Sequence, residues 1–256
     1  MPTALITGAS SGIGWEIAKE LARKGFDLVL TSRREDKLRE LEELLCRHVK
    51  VTVLPFDLSE KLAPQQLFEA LQGREIDVLV NNAGFADYKP FIEADLAKLR
   101  DMMQVNVAAL TELTHLFLPA MIERKRGYVL NVASIAGFFP GPLMTTYYAT
   151  KAYVLSFSQA LHNELEGTGV SVTCLCPGAT TSEFQEIAGM AESKIANVVY
   201  MSSKKVARRG VKATLARKGM CIPGLSNRLI VQVPRFTPLG ALAPMIRRLQ
   251  EKIPSQ

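Results

Sequence analysis

Two tyrosines and a lysine lie close together in TTYYATKAY, residues 145 to 153. Tyr147 precedes Lys151 by four residues and Tyr148 precedes it by three, and both spacings make side chains neighbours on a helix. A phenol ionises at a pH of about 10, but an ammonium beside it favours the phenolate and lowers that value. The pair is therefore a candidate for general acid–base work on an oxygen where charge develops. Helix geometry alone leaves either tyrosine in that role.

A second candidate cluster opens the chain. TGASSGIG, Thr7 to Gly14, follows a strand-like run and begins a helix-like one. Gly8, Gly12 and Gly14 permit a tight turn, close backbone approach to a pyrophosphate and close helix contact. Ser10, Ser11 and Ile13 complete a loop whose N–H groups and helix dipole favour an anion. The next strand ends LTSRRE, with Ser32, Arg33 and Arg34 where a site for unphosphorylated dinucleotide usually ends in an acid. Arg33 could pair with a 2′-phosphate through a charge-assisted fork. NADP is thus expected over NAD, and Arg34, at a helix start, reads as a solvated residue at the strand exit.

These residues need elements to hold them. Strand-like TALIT, FDLVLTS, VKVTVLPFD, DVLVNNAG, GYVLNVAS and VSVTCLCPG alternate with helix-period segments, including a long helix from about Asp95 to Leu118 and another from about Thr146 to Leu165. Such alternation predicts right-handed crossovers and a doubly wound, mainly parallel α/β sheet. Beyond Gly178 the pattern weakens: SSKKVARRGVKATLARKG reads as a basic amphipathic helix and MCIPG as a last short strand. From Leu225 onward Pro234, Pro238, Pro244 and Pro254 are expected to break the chain into short helical pieces. No linker or repeat divides the sequence, so residues 1–256 are expected to form a single domain, with a substrate lid at 180–224 and a basic, apolar segment at 225–256.

The ordered set TGASSGIG, Asp57 in FDLS, NNAG at 81 to 84, Asn106 in MQVNV, Ser134 in NVASIAG, Tyr-x-x-x-Lys and PG at 177 to 178 resembles the short-chain dehydrogenase/reductase family over about residues 3 to 185. The resemblance implies a Rossmann-like fold and an NADP(H)-dependent interconversion of a carbonyl and an alcohol. The family serine lies thirteen residues before its tyrosine, which selects Tyr147 over Tyr148. It further implies that Lys151 also binds the nicotinamide ribose, that Ser134 donates to the developing oxyanion, and that Asn106 anchors a water chain leading to Lys151. Asp57 with Leu58 would meet the adenine, although an aspartate after a strand is also an ordinary helix cap. Asn81 would stabilise the sheet, and Asn82, Ala83 and Gly84 would lie along a cofactor ribose. Pro177, Gly178, Thr180 and Ser182 match the nicotinamide loop, Ser182 standing where the family typically has threonine. Tyr148 reads as a packing or pocket-lining residue.

Composition bounds the rest. Of 256 residues 48% are hydrophobic, enough for one large core. The N-terminus shows no signal-peptide pattern and the longest apolar runs are of strand length, so a cytoplasmic protein is expected. Cys46, Cys174, Cys176 and Cys221 lack C-x-x-C spacing; no metal site is expected, and Cys174 and Cys176 should share one strand face as core residues. Residues 201–256 carry twelve Lys or Arg and one acid, a balance of +11 within a net +6, which leaves −5 for the first 200. This local basic end suits an anionic substrate, a phosphate-bearing carrier or an anionic membrane surface, or is simply a solvated face. No nucleic-acid partner is expected. Residues 182 to 202, with loops 85 to 91 and 138 to 144, should form an apolar specificity pocket for a small-molecule carbonyl or alcohol. The helices from Asp95 and Thr146 resemble those through which family members form homodimers and homotetramers. Two other readings stand beside the enzyme: a dinucleotide-sensing regulator without turnover, and a membrane-surface protein.

Overall fold

Alternate residues of a strand face opposite ways, and TALIT divides accordingly: Ala4 and Ile6 join one apolar cluster, Leu5 the other. Val78 and Val80 likewise oppose Leu79, and Leu130 and Val132 oppose Val129. The computed structural model describes residues 1–181 and 201–251. In it the strands β1 (Thr3–Thr7), β2 (Asp27–Thr31), β3 (Val51–Val53), β4 (Val78–Asn81), β5 (Gly127–Val132) and β6 (Val170–Leu175) form a parallel sheet. Two-residue strands follow at Thr180–Thr181 (β7), Met201–Ser202 (β8) and Met220–Cys221 (β9). Among the described residues the main sheet runs β3-β2-β1-β4-β5-β6-β9, while β7 pairs with β8 apart from it.

Helices cover both faces. On one side α1 (Gly12–Arg23) and α2 (Glu35–Leu45) pack through Ile17, Leu21, Leu38 and Leu41. On the other, α3 (Ala63–Glu69) contributes Leu67, and α4 (Leu96–Met103) leads through a π-helical segment, Gln104–Ala109, into α5 (Leu110–Glu123), which contributes Leu113, Phe117 and Met121. Helix α6 (Thr145–Glu164) lies on β6, and the basic helix α7 (Ser203–Leu215) returns to the first face through Val206 and Val211. Three further helices follow, α8 (Leu225–Ile230), α9 (Val233–Phe236) and α10 (Leu239–Gln250). The doubly wound expectation is met. The β1–β4 neighbourhood is where the winding reverses, and there the C-terminal ends of the strands open a crevice.

Three boundaries differ from the sequence reading. VKVTVLPFD pairs only over Val51–Val53. The long helix passes Leu118 and ends at Glu123, because Pro119 sits on its exposed side while Phe117 and Met121 remain buried. Over its 28 residues, Leu96–Glu123 is long and apolar enough to cross a membrane by composition, but here one face lies on the sheet. Pro244 does not break α10: it falls in the first half of the helix, where the carbonyl it deprives of a partner belongs to exposed Gly240.

A buried polar chain ties the sheet to its helices. Asn81 Nδ2 donates to Asn131 Oδ1 at 2.9 Å and to Thr114 Oγ1 at 3.0 Å, and Asn131 Nδ2 donates to Ser158 Oγ at 3.0 Å. Asn81 thus has the structural role that the resemblance implied.

Candidate active site

The glycine-rich turn is built by two residues with positive φ, Gly8 at 63° and Gly12 at 57°. A Cβ on Gly8 would stand 2.8 Å from Ala83 Cα, so the loop and the NNAG segment approach too closely for a side chain. Asn82 secures that approach by donating Nδ2 to the carbonyls of Thr7 and Gly8, each at 3.0 Å. Thr7 Oγ1 in turn accepts from the N–H groups of Asn82 and Ala83. Ser11 is the N-cap of α1 and its side chain makes no capping bond, which leaves first-turn N–H groups for an anion. Gly8, Ser10, Ser11, Gly12 and Ile13 line the cavity. Gly14 does not: its missing Cβ would lie 2.3 Å from Gly8 O, so its part is helix-to-loop contact and not ligand contact.

At the end of β2 both arginines reach the same cavity. Arg33 is two-thirds exposed and lies 4.0 Å from Asp57. The reading of Arg34 as a solvated residue is corrected: its guanidinium donates to Ser10 Oγ at 3.3 Å and to Ser10 O at 3.4 Å, folding across the glycine loop. The two forks therefore flank the place where a 2′-phosphate would sit beside a dinucleotide on this loop, and the residues fit NADP(H). Asp57 Oδ1 accepts from Ser59 N and Oγ at 3.0 and 2.8 Å, so it caps the following turn while still lining the cavity with Leu58.

The reacting end lies below. Ser134 caps a short 3-10 turn, accepting from Ala136 N at 3.1 Å and donating to Pro177 O at 3.4 Å. It also hydrogen-bonds Tyr147, a buried phenol whose pKa is raised well above the tyrosine range by burial, the Ser134 bond opposing that shift. Lys151, one turn on, is also buried; burial lowers its pKa to about 8, and its Nζ donates to Val132 O at 2.9 Å. The ammonium stands 5.8 Å from the centroid of the Tyr147 ring. Burial of the phenol is the leading cause, so the net shift of Tyr147 is upward where pairing with Lys151 was expected to bring it down.

Asn106 occupies the π-helical segment, where one extra residue in a turn re-aims a side chain. Its amide grips Phe85 from both sides, Oδ1 accepting from Phe85 N at 3.1 Å and Nδ2 donating to Phe85 O at 3.0 Å, and Nδ2 also donates to Thr150 Oγ1 at 3.1 Å. Gly84 explains the grouping: a Cβ there would meet Asn106 Oδ1 at 2.9 Å and Lys151 Nζ at 3.4 Å. Asn106 and Lys151 meet at that glycine, and Lys151 lines the cavity together with Gly84, Ser134 and Tyr147.

Pro177, Gly178 and Thr180 line the cavity on its far side, Thr180 Oγ1 donating to Gly178 O at 2.9 Å. Ser182 lies outside the described residues, as does most of the expected specificity segment. Sequence reading missed Asn227 of α8, whose side chain fills the space a Gly178 Cβ would take, at 2.5 Å. Nothing in the sequence marks it, since the contact depends on α8 folding back. Tyr148 was read as a packing or lining residue and is one: it lines the cavity, and its hydroxyl accepts from Gln250 Nε2 at 2.5 Å. Burial raises its pKa to about 12, the Gln250 bond opposing. The C-terminal segment covers this end, with Leu242 and Ile246 of α10 packed on Phe139 and Tyr148. The cavity measures about 1490 Å³, and Phe139, Met144, Ile230, Val233 and Leu249 give it an apolar wall. Cys174 and Cys176 are buried with Sγ atoms 3.6 Å apart, packed among Ala133 and Val154 as expected of core residues.

A sequence model of the short chain dehydrogenases matches residues 2–193. The chain is 40% identical over 184 residues to sulfoacetaldehyde reductase 2 of Chromohalobacter salexigens, covering 70% of this chain and 73% of that protein. It is 38% identical over 192 residues to a very-long-chain 3-oxoacyl-CoA reductase of Pyrenophora tritici-repentis, covering 72% of this chain. It spans only 56% of that relative's length. Among solved structures, a short-chain dehydrogenase from Sphingobium yanoikuyae in complex with NADPH superposes with a TM-score of 0.82 at 30% identity, over 100% of this chain and 99% of that one.

Proposed function

Because this chain belongs to the short-chain dehydrogenase/reductase family, we propose that it is an NADP(H)-dependent oxidoreductase that interconverts a carbonyl and an alcohol on a lipophilic, acyl-type substrate. The observation that carries this reading is the meeting of Ser134, Tyr147 and Lys151 in one cavity with a glycine-rich anion cradle flanked by Arg33 and Arg34, while Asn106 is buried behind Gly84 and Phe85. Bound NADP(H) would supply or accept the hydride.

The protein's own groups manage the proton. Burial keeps the Tyr147 phenol neutral, so its proton stays on Oη until charge develops on a substrate oxygen placed against it. Ser134, already bonded to Tyr147, is positioned to share a hydrogen bond with the same oxygen. Lys151, with its pKa near 8, still carries charge at neutrality and stabilises the phenolate left when the proton departs. Asn106 holds Phe85 and Thr150 and thereby fixes the backbone on which Gly84 and Lys151 meet.

The apolar wall supports a long or bulky acyl substrate, the class named for the very-long-chain 3-oxoacyl-CoA reductases. The same four residues would also serve a short aldehyde such as the one named for the Chromohalobacter relative. A panel of long-chain ketones, 3-oxoacyl thioesters and short anionic aldehydes, followed by NADPH absorbance, separates these. Turnover on the lipophilic members, abolished by Tyr147→Phe, is expected. NADPH binding without turnover on any member would instead assign a dinucleotide sensor.

The protein is further proposed to be a cytoplasmic homo-oligomer that touches an anionic membrane surface through its basic C-terminal segment. Exposed Leu96, Met103 and Ile122 along α4 and α5, with Tyr153 on α6, support the oligomer.

A further inference from the structure

We propose that α8 and α9 form a lipid-facing patch at the mouth of the cavity, seating the protein on an anionic bilayer from which an apolar substrate enters without crossing water. This rests on the acyl-type reading and names the face and the route. Leu225, Leu229, Val233 and Phe236 recur at intervals of four, four and three residues, and Leu225, Leu229 and Phe236 are 73%, 65% and 85% exposed. Apolar side chains so exposed on consecutive short helices are costly in water and suit an interface. Between them Val231 is buried at 3% exposure, so the same pieces grip the protein with their inner side.

The patch is continuous with the cavity. Ile230, Val233 and, from α10, Leu249 are each exposed and also line it. A chain leaving a bilayer at this point would pass from lipid to apolar wall directly.

Charge decides which occupant fits. Arg228, Arg235, Arg247 and Arg248 are exposed on these last helices, and from residue 201 onward the sequence has a single acid, Glu251, which lies 3.9 Å from Arg247. A second copy docked by a two-fold axis would set this basic rim against itself with one carboxylate from the same segment, Glu251, to set against four arginines. An anionic headgroup layer complements it, each exposed basic residue adding attraction within a Debye length.

The test uses the full chain and sedimentation with phosphatidylcholine vesicles, with or without about one-third phosphatidylglycerol. Binding to the anionic vesicles, weakened by salt, is expected. A Leu229→Ser/Phe236→Ser variant and an Arg228→Gln/Arg235→Gln variant should each bind about tenfold less. Neither pair lines the cavity, so turnover of a water-soluble ketone should be unchanged, while turnover of a long-chain ketone held in the vesicles falls. Equal binding of wild type and both variants would overturn the proposal, as would absence of binding to either vesicle. Conversion of an oligomer to monomers by Leu229→Ser/Phe236→Ser would assign the patch to a second copy instead. Vesicle binding is read without turnover, so loss of the lipid contact and failure of the acyl-substrate reading give different results.

Discussion

Gln250, the last residue of α10, donates a hydrogen bond of 2.5 Å to the hydroxyl of Tyr148, the immediate neighbour of the proposed proton carrier. Its backbone carbonyl accepts from Tyr88, so two aromatic hydroxyls of one apolar cluster hold the end of α10. Tyr148→Phe removes one of these ties and leaves Tyr147 and Ser134 in place. Steady-state kinetics should show KM for bulky substrates rising severalfold with kcat kept within about tenfold, whereas Tyr147→Phe should lower kcat by about 10³. A kcat loss in the Tyr148 variant as large as that in the Tyr147 variant would reverse the assignment of roles.

Arg33 and Arg34 make a graded prediction about cofactor choice. A charged group that pairs with a 2′-phosphate is worth roughly tenfold or more in affinity. Arg33→Asp and Arg34→Ala should each raise KM for NADPH by about that factor, and Arg33→Asp should leave KM for NADH nearly unchanged. Arg34→Ala should also loosen the glycine loop, since its guanidinium holds Ser10. An unaltered NADPH preference in Arg33→Asp would show that this arginine is only a solvated strand exit.

Gly84 has no space for a side chain. In Gly84→Ala, the added methyl would press on Asn106 Oδ1 at 2.9 Å and on Lys151 Nζ at 3.4 Å. The expected outcome is a fall in kcat of about tenfold or more with a normal circular dichroism spectrum, because the displaced groups belong to the site and not to the core. Activity equal to wild type would mean that the meeting of Asn106 and Lys151 at this point has no part in turnover.

Lys151 sets a pH dependence of stability. Its pKa in the folded protein, about 8, is lowered by burial from the ordinary lysine value of 10.5. Between those values the unfolded chain binds a proton that the folded chain lacks, so stability from this group rises with pH across that window. Below about pH 8 the folded protein carries the full cost of a buried charge. Lys151→Met should therefore be more stable than wild type at pH 7 by a few kcal/mol at most, partly offset by the donor that Val132 O loses. The difference should shrink above about pH 10. Thermal denaturation at the two pH values measures it, and a gap that widens with pH would refute the assignment.

The apolar residues left exposed on α4, α5 and α6 lead to a homo-oligomer as the expected state. Light scattering at micromolar concentration checks this, and a monomeric mass would refute it. Tyr153, stacked on Phe157 with ring centroids 5.7 Å apart, offers a site for a charged substitution to weaken the contact.

Much of this protein was legible in one dimension because its determinants are local. Period-two strands, glycine at Gly8 and Gly12 where φ is positive, and the four-residue step from Tyr147 to Lys151 follow from backbone sterics and element geometry alone. The choice of Tyr147 over Tyr148 was not available from that helix, and came from the resemblance through Ser134; the hydrogen bond between Ser134 and Tyr147 agrees with it. Other facts depend on segments distant in sequence meeting in space. Arg34 folding onto Ser10, Asn227 filling the gap at Gly178, the π-turn that aims Asn106 at Phe85 and the return of Gln250 to Tyr148 leave no periodic trace. The raised Tyr147 pKa has the same origin, since desolvation is a property of the packed interior, which no pair of residues along the chain encodes.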